Sequence, residues 1–213
     1  MKSSLIRPAL ALALAAGLAG CGGSDKAEFV VKGTITGIVY PGAVLTTNGM
    51  EIAIPPPATP GATVSFAFPN KLEYGDVYDV RFKSEPDNQN CFVPSNTIAN
   101  YNDTAGRLAE INITYGCQVD TYAIGGKISG LTADGLVLAN GSTGGSVGVS
   151  KPAAGVTTPI EYSLPVPVAY DSSYGVTVIT QPTGQVCTVA NSTGVMKAAA
   201  VTNIDVTCVA APS

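Results

Sequence analysis

The run Phe29–Ile38 reappears 93 residues later as Tyr122–Leu131, so this chain must satisfy one folding plan twice. Gly33, Ile35 and Gly37 meet Gly126, Ile128 and Gly130 at that offset, and Gly42–Leu45 meets Gly135–Leu138. Further on, Tyr74, Tyr78, Val80, Pro86, Gln89 and Cys91 match Tyr170, Tyr174, Val176, Pro182, Gln185 and Cys187 at an offset of 96. Asn112, Ile113 and Cys117 match Asn203, Ile204 and Cys208 at 91. A drifting offset places small insertions in loops, where extra residues cost least. Two units follow, 29–117 and 122–208, with a joint at 118–121 and a tail at 209–213. The joint Gln118–Thr121 lacks Pro and Gly, so the units are expected to sit close together.

Within each unit the apolar period is 2. Val64, Phe66 and Phe68 alternate with Ser65 and Ala67, and Tyr78, Val80 and Phe82 with Asp79 and Arg81. Ile111, Ile113 and Tyr115 do the same, as do Ile160, Tyr162 and Leu164, then Tyr174, Val176 and Val178. Such alternation marks half-buried strands. Asn48-Gly49 between Ala43–Thr46 and Glu51–Ile54 predicts a hairpin with a two-residue turn. Pro55 to Pro57 should end its second strand as a stiff extended connection. The count is about seven strands per unit, an all-β chain of two tandem antiparallel sandwiches. The one short stretch compatible with a helical turn is Ala105–Glu110.

Leu72 lies six residues before Tyr78, and Val168 six before Tyr174, each Tyr opening an alternating strand. This spacing resembles the tyrosine corner of fibronectin type III and related immunoglobulin-like sandwiches, and implies a Tyr hydroxyl bonded to nearby backbone. A core aromatic at a strand start accounts for the same spacing. The prealbumin-like sandwich repeated in bacterial surface proteins shares the general pattern.

At the N-terminus, Lys2 and Arg7 precede an apolar stretch, Pro8–Ala16, which is too short to span a bilayer. Leu18-Ala19-Gly20-Cys21 then resembles a bacterial lipobox. The resemblance implies a cleaved signal peptide at 1–20, a diacylglyceryl and palmitate-bearing Cys21, and a lipidated tether at 21–28. Position 22 is Gly rather than Asp, which by resemblance to Gram-negative lipoproteins implies sorting to the outer membrane. The membrane would therefore be a partner through Cys21.

Cys91, Cys117, Cys187 and Cys208 remain, an even number in an exported chain, and read as two disulfides. Duplication favours the scheme repeated in both units, Cys91–Cys117 and Cys187–Cys208. The geometry concurs, because the start of one antiparallel strand faces the end of its neighbour.

The chain has no His and no Trp, which removes the commonest general base and zinc ligand and the strongest sugar-stacking side chain. No Ser-x-x-Lys spacing follows the signal. Glu73, Asp76 and Asp79 could in principle do acid-only hydrolysis, but their counterparts are Ala169, Ser172 and Gly175. A solvated turn is the expected reading. The formal charge of −4 includes Lys2 and Arg7, so the mature chain carries −6, which disfavours nucleic acid.

The segment between paired cysteines is five residues longer in the first unit, within Pro94–Ala109. It holds Asn96, Asn100, Tyr101, Asn102, Asp103 and Arg107, against Asn191, Ser192, Thr193 and Lys197 in Ala190–Ala200. An exposed Tyr among amides and one Arg has recognition chemistry, although a longer loop is also tolerated without any role. Asn100, Asn102 and Asp103 bring only one carboxylate, so no metal and no cofactor are expected. The expected function is non-catalytic binding, bridging or assembly at the cell envelope. Its partner would be an envelope protein or a polysaccharide, and a carbohydrate-binding or enzyme-accessory module is the alternative.

Overall fold

The structure is a computed structural model and describes residues 26–97 and 100–212. The expected signal peptide and Cys21 lie outside the described residues. The first half contains β1 (Glu28–Phe29), β2 (Val31–Thr36), β3 (Ala43–Thr47), β4 (Met50–Ile54), β5 (Val64–Ala67) and β6 (Leu72–Glu73). It continues with β7 (Val77–Asp79), β8 (Arg81–Ser84), β9 (Gln89–Phe92), β10 (Asn102–Thr104) and β11 (Ile111–Val119). The second half contains β12 (Thr121–Tyr122), β13 (Gly125–Ser129), β14 (Leu136–Asn140), β15 (Ser146–Val149) and β16 (Ile160–Ser163). β17 (Val168–Ala169), β18 (Ser173–Thr180), β19 (Gln185–Val189), β20 (Thr193–Val195) and β21 (Val206–Ala210) complete it. The described residues form no helix, and Ala105–Glu110 makes turns instead. Gly106 has φ +96°, a left-handed conformation that stops a helical turn there.

One sheet of the first half has the order β5-β2-β11-β9, and its counterpart in the second half is β16-β13-β21-β19. The other sheet is β4-β3-β8, extended by the pair β7-β10, and its counterpart is β15-β14-β18-β20. In both halves the first long strand runs parallel to the last: β2 to β11, and β13 to β21. Setting aside the two-residue pairs β1–β6 and β12–β17, and joining β7 to β8, each half has eight strands rather than seven. The additional strands are the edges β10 and β20.

Val80 lies at the interruption between β7 and β8. Val80 is fully buried, its N–H donates to Tyr101 O at 2.7 Å, and its carbonyl accepts from the Tyr115 hydroxyl at 2.7 Å. In the second half Val176 N–H likewise donates to Ser192 O, but β18 runs through unbroken.

Alternation puts one face of each strand inward. Val31, Ile35, Phe66, Ile111 and Ile113 from one sheet meet Leu45, Ile54, Tyr78 and Val80 from the other in a first core. Ile128, Leu136, Leu138, Val176, Ile204 and Val206 belong to a second. Each core closes on residues of its own half, which makes the layers sandwich-like. Only Asp120 lies between β11 and β12.

Glycines allow the parallel strands to approach. A Cβ on Gly33 would overlap the Ile113 carbonyl, and one on Gly126 the Ile204 carbonyl. The hairpin turn at Asn48-Gly49 forms with φ of 47° and 73°, both left-handed, as a two-residue turn between twisted strands requires.

The disulfides are Cys91–Cys117 and Cys187–Cys208. Each joins directly opposed residues of an antiparallel pair, β9 with β11 and β19 with β21, with Cα atoms 4.0 Å apart. The tyrosine-corner bond, by contrast, does not form among the described residues at Tyr78 or Tyr174. Two other tyrosine hydroxyls reach backbone across a core, Tyr115 on Val80 O and Tyr162 on Ile204 O at 2.8 Å.

Candidate functional site

The sequence offers two candidate clusters in the first half, the Pro94–Ala109 segment and the carboxylates Glu73, Asp76 and Asp79. The fold brings them to one pole. Gly75 N–H donates to Ala105 O at 3.0 Å, and Ala105 N–H donates to Asp76 O at 2.8 Å. Asn102–Thr104 is strand β10, paired with β7 through Asn102↔Asp79 and Thr104↔Val77. The chain also enters at this pole, because Tyr74 N–H donates to Ala27 O at 3.0 Å.

Most polar side chains there serve the framework. The Asn100 amide donates to Asn112 O, and the matched Asn191 donates to Asn203 O at 2.9 Å. Asn100 is therefore a strap that both halves use. Asp103 caps Thr104 N–H at 2.7 Å and pairs with Arg107 at 3.1 Å. Tyr101 is half-buried against the first core rather than exposed, because the Val80–Tyr101 backbone bond draws its ring over the sheet. Asn96, Asn102 and Arg107 stand exposed.

The three carboxylates are also engaged. Glu73 pairs with Lys26, Asp76 accepts Glu73 N–H at 2.8 Å, and Asp79 pairs with Arg81. Among the described residues no group of three or more acidic or cysteine side chains is placed to hold a metal ion.

Tyr74 stands out at this pole. The residue is 72% exposed, and one edge of its ring lies against Gly106, where a Cβ would overlap it. Val77 at 70% and Leu108 at 41% exposure lie on the same two segments. The matched Tyr170 has the same backbone bond, to Asp120 O at 2.8 Å, but a different neighbour. Tyr40 of the first half meets it edge-on, with ring centroids 5.4 Å apart and planes at 80°. The Tyr40 hydroxyl also points to Tyr170 O at 3.5 Å, and burial with nearby Asp171 raises its pKa. The match of Tyr74 to Tyr170 is visible in the sequence; that one would be covered and the other open is not.

Tyr40 is positioned by a buried glutamine. Gln89 Oε1 accepts Val39 N–H at 2.7 Å and Tyr40 N–H at 2.9 Å, while its Nε2 donates to Gly37 O at 2.7 Å. Gln185 does the same for Thr132, Ala133 and Gly130, at 2.8, 3.1 and 2.7 Å. The position matching Tyr40 is Ala133, so the second half offers no aromatic onward.

Two grooves lie at matching places on the outer sheet faces. One of about 490 Å³ is lined by Lys32, Thr34, Ser65 and Asn112, and one of about 350 Å³ by Lys127, Glu161, Ser163 and Thr202. Compared with family models, curated proteins and solved structures, the chain finds no match.

Proposed function

We propose that this is a lipid-anchored, non-catalytic protein of the bacterial cell envelope. Two immunoglobulin-like sandwiches, the products of internal duplication, are held at the outer membrane through Cys21 and used for binding, bridging or assembly. The observation that carries the reading is Leu18-Ala19-Gly20-Cys21 after a basic and then apolar stretch, five residues before the described fold begins. The matching strand orders and the parallel pairing of first and last strands support the sandwich class, which the prealbumin-like family also fits. Labelling with palmitate in the native host tests the anchor. Label should enter the wild-type protein and be absent from Cys21→Ser, which should be soluble or unprocessed. Label that persists in that variant would refute the assignment.

A second reading, a carbohydrate-binding or accessory module, is favoured by the two matched grooves, which set hydroxyl, amide and charged groups beside an aromatic ring, Phe66 in one and Tyr162 in the other. A saccharide array distinguishes it. Binding lost on Ser65→Val and Ser163→Val together would place glycan in the grooves.

A further inference from the structure

We infer that the pole bearing Tyr74 is seated on the membrane that carries Cys21, with the Tyr74 ring at the level of the lipid headgroups; this rests on the lipid-anchor reading above. Tyr74 and Tyr170 hold matched places, and in each the backbone N–H is bonded to the incoming chain. Tyr170 is half-buried and meets Tyr40, which lies in the β2–β3 connection of the preceding half. What precedes the first half is the tether. From Cys21 to Lys26 is five residues, and an extended residue spans at most about 3.6 Å, so the pole lies within about 18 Å of the anchor.

The chemistry of the pole suits a lipid boundary. Tyr presents an apolar ring and a polar tip, the combination favoured at membrane–water interfaces. Val77 and Leu108 add exposed apolar surface nearby. The cations are paired, Lys26 with Glu73, Lys71 with Glu28 at 2.7 Å, and Arg107 with Asp103, while Asp76 accepts only the Glu73 N–H among the described residues. Without unpaired cations the pole gains little from anionic lipid, so contact should depend on apolar seating and vary little with salt.

The test uses the chain from Cys21 onward with one myristoyl group coupled chemically to the Cys21 thiol. A single such chain binds vesicles only marginally, so a protein contact becomes measurable. On phosphatidylcholine vesicles, Tyr74→Ser combined with Val77→Ser should lower the partition coefficient about tenfold, the loss expected when two apolar side chains no longer seat. Val209→Ser, at a residue 58% exposed in the second half, should leave partition unchanged, as should added salt. Equal partition of the double variant and wild type would overturn the inference, as would an equal loss with Val209→Ser. A dimer of the unacylated chain that dissociates on Tyr74→Ser would also overturn it, making a second copy the occupant. Because the acyl group is installed chemically, these outcomes do not depend on whether cells acylate Cys21, which palmitate labelling tests separately.

Discussion

Replacing Gln89 by Met keeps a side chain of similar length and apolar volume but removes every polar atom of the clamp. Gln89 is 4% exposed, and its amide serves three backbone groups: the N–H of Val39 and of Tyr40, and the carbonyl of Gly37. Val39 lies partly at the surface, so water can reach the freed groups and the full burial penalty does not apply. Three bonds at a net 0.5–1.5 kcal/mol each give a loss of about 2–4 kcal/mol. Gln185→Met should cost a similar amount, since its three bonds have nearly the same lengths. The two variants should differ in one respect. Only the Gln89 clamp holds Tyr40, so only Gln89→Met should loosen the Tyr40–Tyr170 contact between the halves. Urea unfolding under oxidising conditions gives the stability change, and amide hydrogen exchange locates it. Val39 and Tyr40 amides should lose protection in Gln89→Met, and Thr132 and Ala133 amides in Gln185→Met. An unchanged unfolding midpoint, or intact protection at those amides, would refute the clamp.

Non-reducing peptide mapping should find Cys91 joined to Cys117 and Cys187 to Cys208, and removing either bridge by paired alanine substitution should cost about 3 kcal/mol for loops of this length. Burial pushes Tyr115 and Tyr162 up to about 12, with smaller contributions from Asp79 and Asp205 respectively. An unfolded Tyr ionises near 10, so their contribution is fully present below that pH and is lost as pH rises towards about 12. Phenolate absorbance should show late-titrating tyrosines, and Tyr115→Phe should flatten part of the alkaline loss of stability. Gly126→Ala should cost about 1–3 kcal/mol by forcing β13 away from the Ile204 carbonyl, read as a lower thermal midpoint.

Much of the fold is legible in the sequence because burial of one sheet face imposes period 2 directly on residue type. The hairpin at Asn48-Gly49 is legible because few residues tolerate left-handed φ at two successive positions. The disulfide pairing is legible because the matched cysteines of the two halves favour the scheme that repeats in both. The edges β10 and β20 are hidden for the opposite reason. Asn102–Thr104 and Thr193–Val195 are short and mostly polar, and backbone bonds to β7 and β18 define them rather than side-chain burial. The same cause misplaces Tyr101, whose polar neighbours suggest an open loop while its own carbonyl is bound to Val80. The tyrosine corner fails because spacing along one strand cannot specify which hydroxyl finds a carbonyl across the core. That depends on Tyr115 and Tyr162, on different strands. At the candidate site, the matching of Tyr74 with Tyr170 is readable, but the solvent exposure of one ring depends on what lies before each half.

The parallel pairing of first and last strands has a mechanical consequence. In such a pair the incoming and outgoing chain leave from opposite ends, so tension applied between the two chain ends slides the strands past each other. The bonds between them are then loaded together in shear rather than opened one by one. β2 and β11 are in register over six consecutive residue pairs, Val31–Thr36 with Ile111–Gly116, whereas β13 and β21 share two, Ile128 and Ser129 with Val206 and Thr207, beside a separate parallel bridge at Ile124 and Val201. Under steady pulling on the two chain ends the second half should therefore yield first and absorb extension, while the first half holds its grip.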